Sequence, residues 1–74
     1  MSILPRISGR ETMAVLEKFG YELDRQRGSH MVLRNSKPPH RRLVVPDHRE
    51  ISKGTLRAII RQAGLTVEAF ISAL

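Results

Sequence analysis

The spacing of apolar positions predicts a helix near the start of the chain. Ser8 and Glu11 are three positions apart, as in a capping box, where each side chain accepts a hydrogen bond from the other residue's backbone N–H. Apolar side chains then recur at helical spacing, at Met13, Val15, Leu16 and Phe19. Gly20 is a typical residue for the end of a helix. The pattern predicts a first helix over about residues 9–19.

Three short segments with strand character follow, and each is bounded by turn residues. They are YELDRQR at 21–27, HMVLRN at 30–35 and RRLVV at 41–45. Gly28 and Ser29 fit a two-residue hairpin turn between the first two. Pro38 and Pro39 exclude the SKPPH segment from a ladder, and Pro46 closes the third strand. The segments predict a small antiparallel sheet.

Alternation along the second strand separates a core face from an open face. Met31 and Leu33 share one face that is wholly apolar, so we expect it to point into the core. His30 then lies on the open face or at its rim. Arg25 and Arg27 share one face of the first strand, and the pattern leaves open whether that is the face of His30, because the turn geometry decides it.

Two further helices are predicted after the strands. Apolar side chains that fall on one side predict a helix from about Lys53 to Ala63. Gly64 ends it. Thr66 caps a short last helix that carries Phe70. The order of helix, three antiparallel strands, helix and short helix predicts a single α+β domain over residues 1–74, with the helices packed on one face of the sheet.

The charge distribution narrows the class of partner. The chain has a net charge of +6, but residues 25–61 hold ten basic and two acidic residues, a net charge of +8, and the segments on either side are each at −1. A concentrated basic block is typical of a protein that binds a phosphate-rich partner. A solubilising surface is the alternative, although balanced charge would serve that purpose equally well.

Several functional classes are disfavoured by the composition. The chain has no cysteine, which excludes disulfides and thiolate metal sites. Neither a signal-peptide core nor a membrane-length apolar run is present, so a cytoplasmic protein without membrane contact is expected. The three aromatic residues occupy core-like positions, which disfavours recognition of single strands by base stacking.

His30 is the main candidate for chemistry, since it follows a Gly-Ser turn inside the basic block. A neutral imidazole beside RNA can take a proton from a 2′-hydroxyl, and neighbouring cations can stabilise charge that develops on the phosphate. An ordinary surface histidine is the competing interpretation. His40 follows two prolines and is predicted to be solvent-exposed. His48 is placed to orient the loop before the second helix or to contact phosphate.

The remaining candidate features are weaker. The three histidines match no common metal-ligand spacing and no acidic cluster accompanies them, so no metal site is predicted. Lys53, Gly54 and Thr55 open the second helix, whose free N–H groups could hold a phosphate. Gly54 could equally serve only to ease the turn into that helix.

Two stretches together resemble the HicA family of bacterial toxins. They are LEKFGYELDRQRGSH and RRLVVPDHREISKGTLRAIIRQAGLT, and the similarity covers the chain from about Ile7 to Leu74. The resemblance implies a fold like that of double-stranded-RNA-binding domains. It also implies an endoribonuclease that cuts mRNA and blocks translation, restrained by a HicB-type antitoxin. Residues 1–7, at the N-terminal edge of the similarity, form a candidate loose extension.

The resemblance assigns roles to individual residues. The family's catalytic histidine lies in its Gly-Ser-His motif, which here contains His30, while Met31 stands where many members carry a second histidine or polar residue. No metal or other cofactor is expected. The candidate RNA-contacting residues are Arg25, Arg27, Ser29, Arg34, Arg42, His48 and Lys53. The alternatives are a non-catalytic module that binds double-stranded RNA or DNA, and a small structural domain whose basic face binds an acidic protein.

Overall fold

A computed structural model describes residues 3–74, and its elements follow the predicted order. They are helix α1 (Gly9–Glu17), strands β1 (Tyr21–Arg27), β2 (His30–Asn35) and β3 (Arg42–Pro46), helix α2 (Lys53–Gln62) and helix α3 (Val67–Ser72). The strands form one antiparallel sheet in the order β1-β2-β3. The predicted α+β fold, like that of double-stranded-RNA-binding domains, is confirmed.

The start of α1 has the predicted capping box. The Glu11 backbone N–H donates to Ser8 Oγ at 3.0 Å, and the Ser8 N–H donates to Glu11 Oε1 at 2.9 Å. The helix ends at Glu17, two residues before the predicted end, because the chain tightens there. The Phe19 N–H donates to the carbonyl of Leu16, three residues back, at 2.9 Å, which closes the last turn.

One face of the sheet packs against the helices and forms the core. Met31 and Leu33 are fully buried, as predicted from the alternation in β2. The sheet also contributes Tyr21, Leu43 and Val45 to this inner face, and the helices supply Val15, Leu16, Leu56, Ile59, Ile60 and Phe70. The Tyr21 hydroxyl donates to the Ala63 carbonyl at 3.2 Å, which joins β1 to the end of α2. Both main helices therefore cover the same face, and the other face is free of them.

Strand β3 lies one residue later than predicted. It covers Arg42–Pro46 instead of residues 41–45, and Pro46 pairs with His30. Pro46 has no N–H to donate, but β3 is an edge strand, where a missing donor leaves no ladder bond unmade. The side chain of Arg41 instead extends towards α2, where Nη1 donates to the Gln62 carbonyl at 3.4 Å.

The N-terminal segment belongs to the core, so the expectation of a loose extension is wrong for residues 3–7. Leu4 and Ile7 are buried against the helices and the sheet. The Ile51 N–H donates to the Ile7 carbonyl at 2.9 Å, which pairs this segment with the loop before α2. Residues 1 and 2 of the predicted extension lie outside the described residues. Across residues 3–74, no helix is long and apolar enough to cross a membrane.

Candidate functional site

The face of the sheet opposite the helices, here called the open face, carries His30 together with arginines. In the β1–β2 pair, Arg27 lies directly opposite His30 and Arg25 lies opposite Val32. Residues directly opposite each other in an antiparallel pair project from the same face. Arg25, Arg27 and His30 therefore share one face, which answers the question that the sequence pattern left open.

A β-bulge at Asp24 produces this arrangement. Leu23 pairs with Leu33, and the next pair along β1 is Arg25 with Val32, so Asp24 has no partner in the ladder. Without the extra residue, the alternation would place Asp24 opposite Val32 and would turn both arginines to the inner face. The bulge thus places two guanidinium groups on the open face.

Strand β3 extends the open face on the other side of β2. Arg42 lies opposite Arg34, Val44 opposite Val32, and Pro46 opposite His30. The arginines therefore flank an apolar centre at Val32 and Val44, and Val44 is 46% exposed. Glu22, opposite Arg34, is the acidic member of the paired residues on this face. No aromatic side chain lies on it, because Tyr21 and Phe70 are buried and Phe19 is packed against the core.

The Gly28–Ser29 turn lies at one end of the sheet, here called the turn end, beside His30. Gly28 has φ +56°, a left-handed conformation that glycine adopts without steric penalty. Ser29 is exposed, and its carbonyl accepts a hydrogen bond from the Asp47 backbone N–H at 2.6 Å. The turn is therefore fixed to the residue that follows β3.

The first residue of α1 packs closely against the turn end. The Gly9 N–H donates to the His48 carbonyl at 2.8 Å. A Cβ atom at Gly9 would lie 1.9 Å from the Pro46 carbonyl oxygen, so only glycine permits this approach. The contact fixes the backbone of His48 close to the turn that precedes His30.

A polar cluster around Asp47 joins three elements at the turn end. Arg10 on α1 donates to the Asp47 carboxylate through Nε at 3.2 Å and Nη2 at 3.1 Å, and Gln26 on β1 donates through Nε2 at 3.1 Å. The pKa of Asp47 is lowered, chiefly by the hydrogen bond from Arg10. Partial desolvation acts in the opposite direction and raises the pKa. The hydrogen bond from Gln26 and the charges of Arg10 and His48 lower the pKa further. The carboxylate is therefore ionised near neutral pH.

Sequence reasoning did not identify this cluster. Arg10 and Asp47 are 37 positions apart, and no local pattern indicates that they meet. The available signal was compositional, since Asp47 and Glu50 are the two acidic residues in the basic block at 25–61. An acidic residue within a basic block is a candidate for an ion pair that stabilises tertiary structure.

Some predicted contact residues lie away from the open face. Lys53 is the first residue of α2, and that helix packs on the inner face of the sheet. His48 is exposed in the loop after β3. His40 is exposed, as predicted, with its Nδ1 3.1 Å from the Asn35 carbonyl oxygen. The sheet thus gathers His30, Arg25, Arg27, Arg34 and Arg42 on its open face. Ser29 lies in the turn, His48 in the loop after β3 and Lys53 at the start of α2.

The described part of the chain presents the site as a surface. Residues 3–74 enclose no pocket, and no three of their histidine, aspartate and glutamate side chains converge as a metal-ligand set. The exposed neighbours of His30 include Ser29 in the turn and Arg27 across the ladder.

Fold and surface together define the class: a small α+β domain like the double-stranded-RNA-binding domains, with helices on one face of the sheet and a basic open face. A family model described as the HicA toxin of bacterial toxin–antitoxin systems matches residues 9–65, which is most of the 74-residue chain. The chain belongs to this family and is the toxin component of a toxin–antitoxin system, so its partner is an antitoxin. A search of curated proteins finds no match.

Proposed function

We propose that this HicA toxin is a metal-independent endoribonuclease that cuts mRNA and thereby blocks translation, with His30 as the proton-transfer residue. The observation that carries the proposal is the strand register, which places His30 on the same face as Arg25, Arg27, Arg34 and Arg42. A proton acceptor within a group of cations suits reactions at a phosphodiester.

The proposed reaction is an internal transfer at the RNA backbone. The neutral imidazole of His30 takes the proton of a 2′-hydroxyl, and the 2′-oxygen forms a bond to the adjacent phosphorus. The bond from phosphorus to the 5′-oxygen breaks, and an acid protonates that leaving oxygen. The products are a 2′,3′-cyclic phosphate and a 5′-hydroxyl end. DNA lacks the attacking hydroxyl, so DNA of the same sequence would bind and remain intact.

The arginines supply electrostatic stabilisation and hold the backbone. Arg27 lies directly opposite His30 in the ladder, and in this proposal it is the cation that contacts the reacting phosphate. Arg25, Arg34 and Arg42 extend the positive surface along the sheet and fit neighbouring phosphates. Since no Phe, Tyr or Trp ring is exposed on this face, RNA is held mainly through its backbone and shape instead of through stacked bases.

The experiment that tests this function is an RNA-cleavage assay with the purified toxin. His30→Ala is expected to lower the cleavage rate by roughly 10²–10⁴-fold, the usual contribution of one acid–base group. His40→Asn is the matched control, because His40 is also exposed but lies outside the β-ladder, and asparagine tolerates its positive φ of 59°. A His30→Ala variant that cuts RNA at the wild-type rate would leave a non-catalytic nucleic-acid-binding module as the better description.

Metal independence is checked in the same assay. The proposed chemistry uses side chains alone, so cleavage is expected to continue in excess EDTA. Loss of cleavage in chelator, with recovery on addition of a divalent ion, would contradict the mechanism. The products provide a second check, since a 5′-phosphate end would indicate attack by water instead of by the 2′-oxygen.

We further propose that the partner is a HicB-type antitoxin that covers the open face and occludes His30. The exposed Val44 beside Val32 provides an apolar centre and the arginines a charged rim, an arrangement typical of a protein interface. The contacting surface of the antitoxin is therefore expected to be acidic around an apolar side chain.

A substitution at Val44 should distinguish antitoxin binding from RNA cleavage. Val44→Ser should weaken the antitoxin complex by about tenfold or more, because burial of a valine contributes roughly 1.5–3 kcal/mol. It should leave RNA cleavage close to the wild-type rate, since the arginines are intact. Calorimetry with the antitoxin and the cleavage assay together measure both effects. Tight association that left RNA cleavage uninhibited would contradict the proposed placement.

A further inference from the structure

Asp47 connects three separate parts of the chain at the turn end. Its carboxylate accepts from Arg10 at the start of α1 and from Gln26 on β1. Its backbone N–H donates to the Ser29 carbonyl at 2.6 Å. Gln26 Nε2 also donates to the Gly28 carbonyl at 3.0 Å, so one amide group bridges the carboxylate and the turn.

These contacts surround the residue proposed to act on RNA. Ser29 is the residue before His30, and Gln26 is the residue before Arg27, which lies opposite His30 in the ladder. Asp47 follows Pro46, which lies opposite His30 on the other side. The cluster therefore fixes the backbone on both sides of the His30–Arg27 pair without occupying the open face.

We propose that Asp47 is a positioning residue that holds the Gly28–Ser29 turn, and with it His30 and Arg27, in the geometry for cleavage. The inference rests on the proposed role of His30. It adds a role for an acidic residue that neither touches RNA nor transfers a proton.

Neither of the simpler roles for Asp47 accounts for this geometry. The side chain of Arg10 is 66% exposed and that of Asp47 24% exposed, so solvent limits what even this two-bond ion pair contributes to stability. A carboxylate within a basic block also repels phosphate, so Asp47 opposes RNA binding electrostatically. What remains is its geometric effect, since a shift of about 1 Å at a reacting group can lower a rate by about 10²-fold.

A positioning role for Asp47 predicts opposite effects on RNA binding and on the rate of cleavage. Asp47→Ala should lower kcat by about tenfold or more because the turn is no longer held, while RNA affinity stays equal or rises because a negative charge is lost. Asp47→Asn keeps the size of the side chain and one acceptor oxygen, so it should retain an intermediate kcat. Gln26→Ala should lower kcat in the same direction, because it breaks the bridge to the Gly28 carbonyl.

Glu50 provides the matched control. It is the other acidic residue of the basic block and is exposed, and its side chain makes no hydrogen bond or ion pair within the described residues. Glu50→Ala changes the net charge by the same amount, so it should raise RNA affinity without lowering kcat. Equal effects of Asp47→Ala and Glu50→Ala on kcat would overturn the proposal, as would an effect of Asp47→Ala on KM alone.

A measurement without RNA separates this proposal from the proposed function. In Asp47→Ala, the amide hydrogen at residue 47 should exchange faster and the His30 ring resonances should shift, while the amides of Met31 and Leu33 remain protected. Unchanged exchange and unchanged His30 resonances would overturn the positioning role. A fully active His30→Ala variant would contradict the proposed nuclease role of His30. The exchange and resonance measurements on Asp47→Ala do not depend on that outcome, because they contain no RNA. Should Asp47→Ala not fold, Asp47→Asn and Gln26→Ala give the same comparison.

Discussion

At the scale of single residues, adjacent positions of β2 have opposite consequences for stability and for chemistry. His30 is exposed on the open face, whereas Met31 is fully buried between the sheet and the helices. The pleat of the strand imposes this division, since successive side chains project from opposite faces. Changes at the two positions should therefore affect different measurements.

We expect Met31→Ala to destabilise the fold by roughly 2–5 kcal/mol, the usual effect of truncating a buried methionine to alanine. His30→Ala should change the free energy of unfolding by about 0.5 kcal/mol or less, as at most exposed positions. Denaturant unfolding measures both values. A His30→Ala variant that unfolds, or a Met31→Ala variant as stable as the wild type, would reverse the assignment of faces.

Residue roles were predictable where they depend on local pattern. The burial of Met31 followed from alternation, and the exposure of His30 followed from the same argument. The contact between Arg10 and Asp47 did not, because it depends on how α1 docks against the end of β3. Pairs of this kind are formed by tertiary structure, and the sequence near either residue carries no trace of them.

At the scale of elements, the turn and the bulge of the β1–β2 hairpin differ in how far local sequence rules predict them. The turn at Gly28 and Ser29 agrees with the residue types present. The bulge at Asp24 does not follow from alternation, which continues without interruption from Tyr21 to Asp24. Leu23 precedes the bulge and pairs with the buried Leu33, yet it is 44% exposed, because β1 is an edge strand. The bulge is a property of the strand pair and not of β1 alone.

The cap of α1 should make stability depend on pH in the acidic range. The Ser8 backbone N–H, followed by the Ser8 hydroxyl, lowers the pKa of Glu11 from its ordinary value of 4.5. A lowered folded pKa means that the stabilising contribution is present above pH 4.5 and is lost as the pH falls through the folded pKa.

We therefore expect the melting temperature to fall with decreasing pH below 4.5, and to fall less steeply in Glu11→Gln, which keeps an acceptor for the Ser8 N–H but does not titrate. Glu17→Gln is the control, because Glu17 is exposed at the other end of the same helix. Identical pH profiles for the wild type and Glu11→Gln would show that the cap has no part in acid destabilisation.

At the scale of the whole molecule, the net charge is divided between faces. The arginines of β1, β2 and β3 gather on the open face, while Lys53 begins a helix that packs on the other side of the sheet. The composition indicated a basic surface, and the register identifies the part of it that surrounds His30.

Removal of single charges should distinguish the open face from the rest of the surface. Arg25→Gln, Arg27→Gln and Arg34→Gln should each weaken RNA binding, and each should reduce the slope of log affinity against log salt by about one per lost phosphate contact. Arg6→Gln is the control, because Arg6 is exposed and outside the sheet. Lys18 is unsuitable as a control, since its Nζ donates to the Ala73 carbonyl and its loss would also disturb α3. Equal effects at Arg6 and on the open face would mean that the charge acts only as a diffuse field.

The pairing of the N-terminal segment with the loop before α2 has a consequence for biosynthesis. The hydrogen bonds from Gly9 to His48 and from Ile51 to Ile7 join a segment made early to one made late. Residues 7 and 9 are synthesised well before residues 48 and 51, so these hydrogen bonds cannot form until translation has passed position 51. An unfinished nascent chain therefore lacks the scaffold around its histidine, and we expect prematurely released fragments ending before residue 48 to be harmless to the cell that makes them.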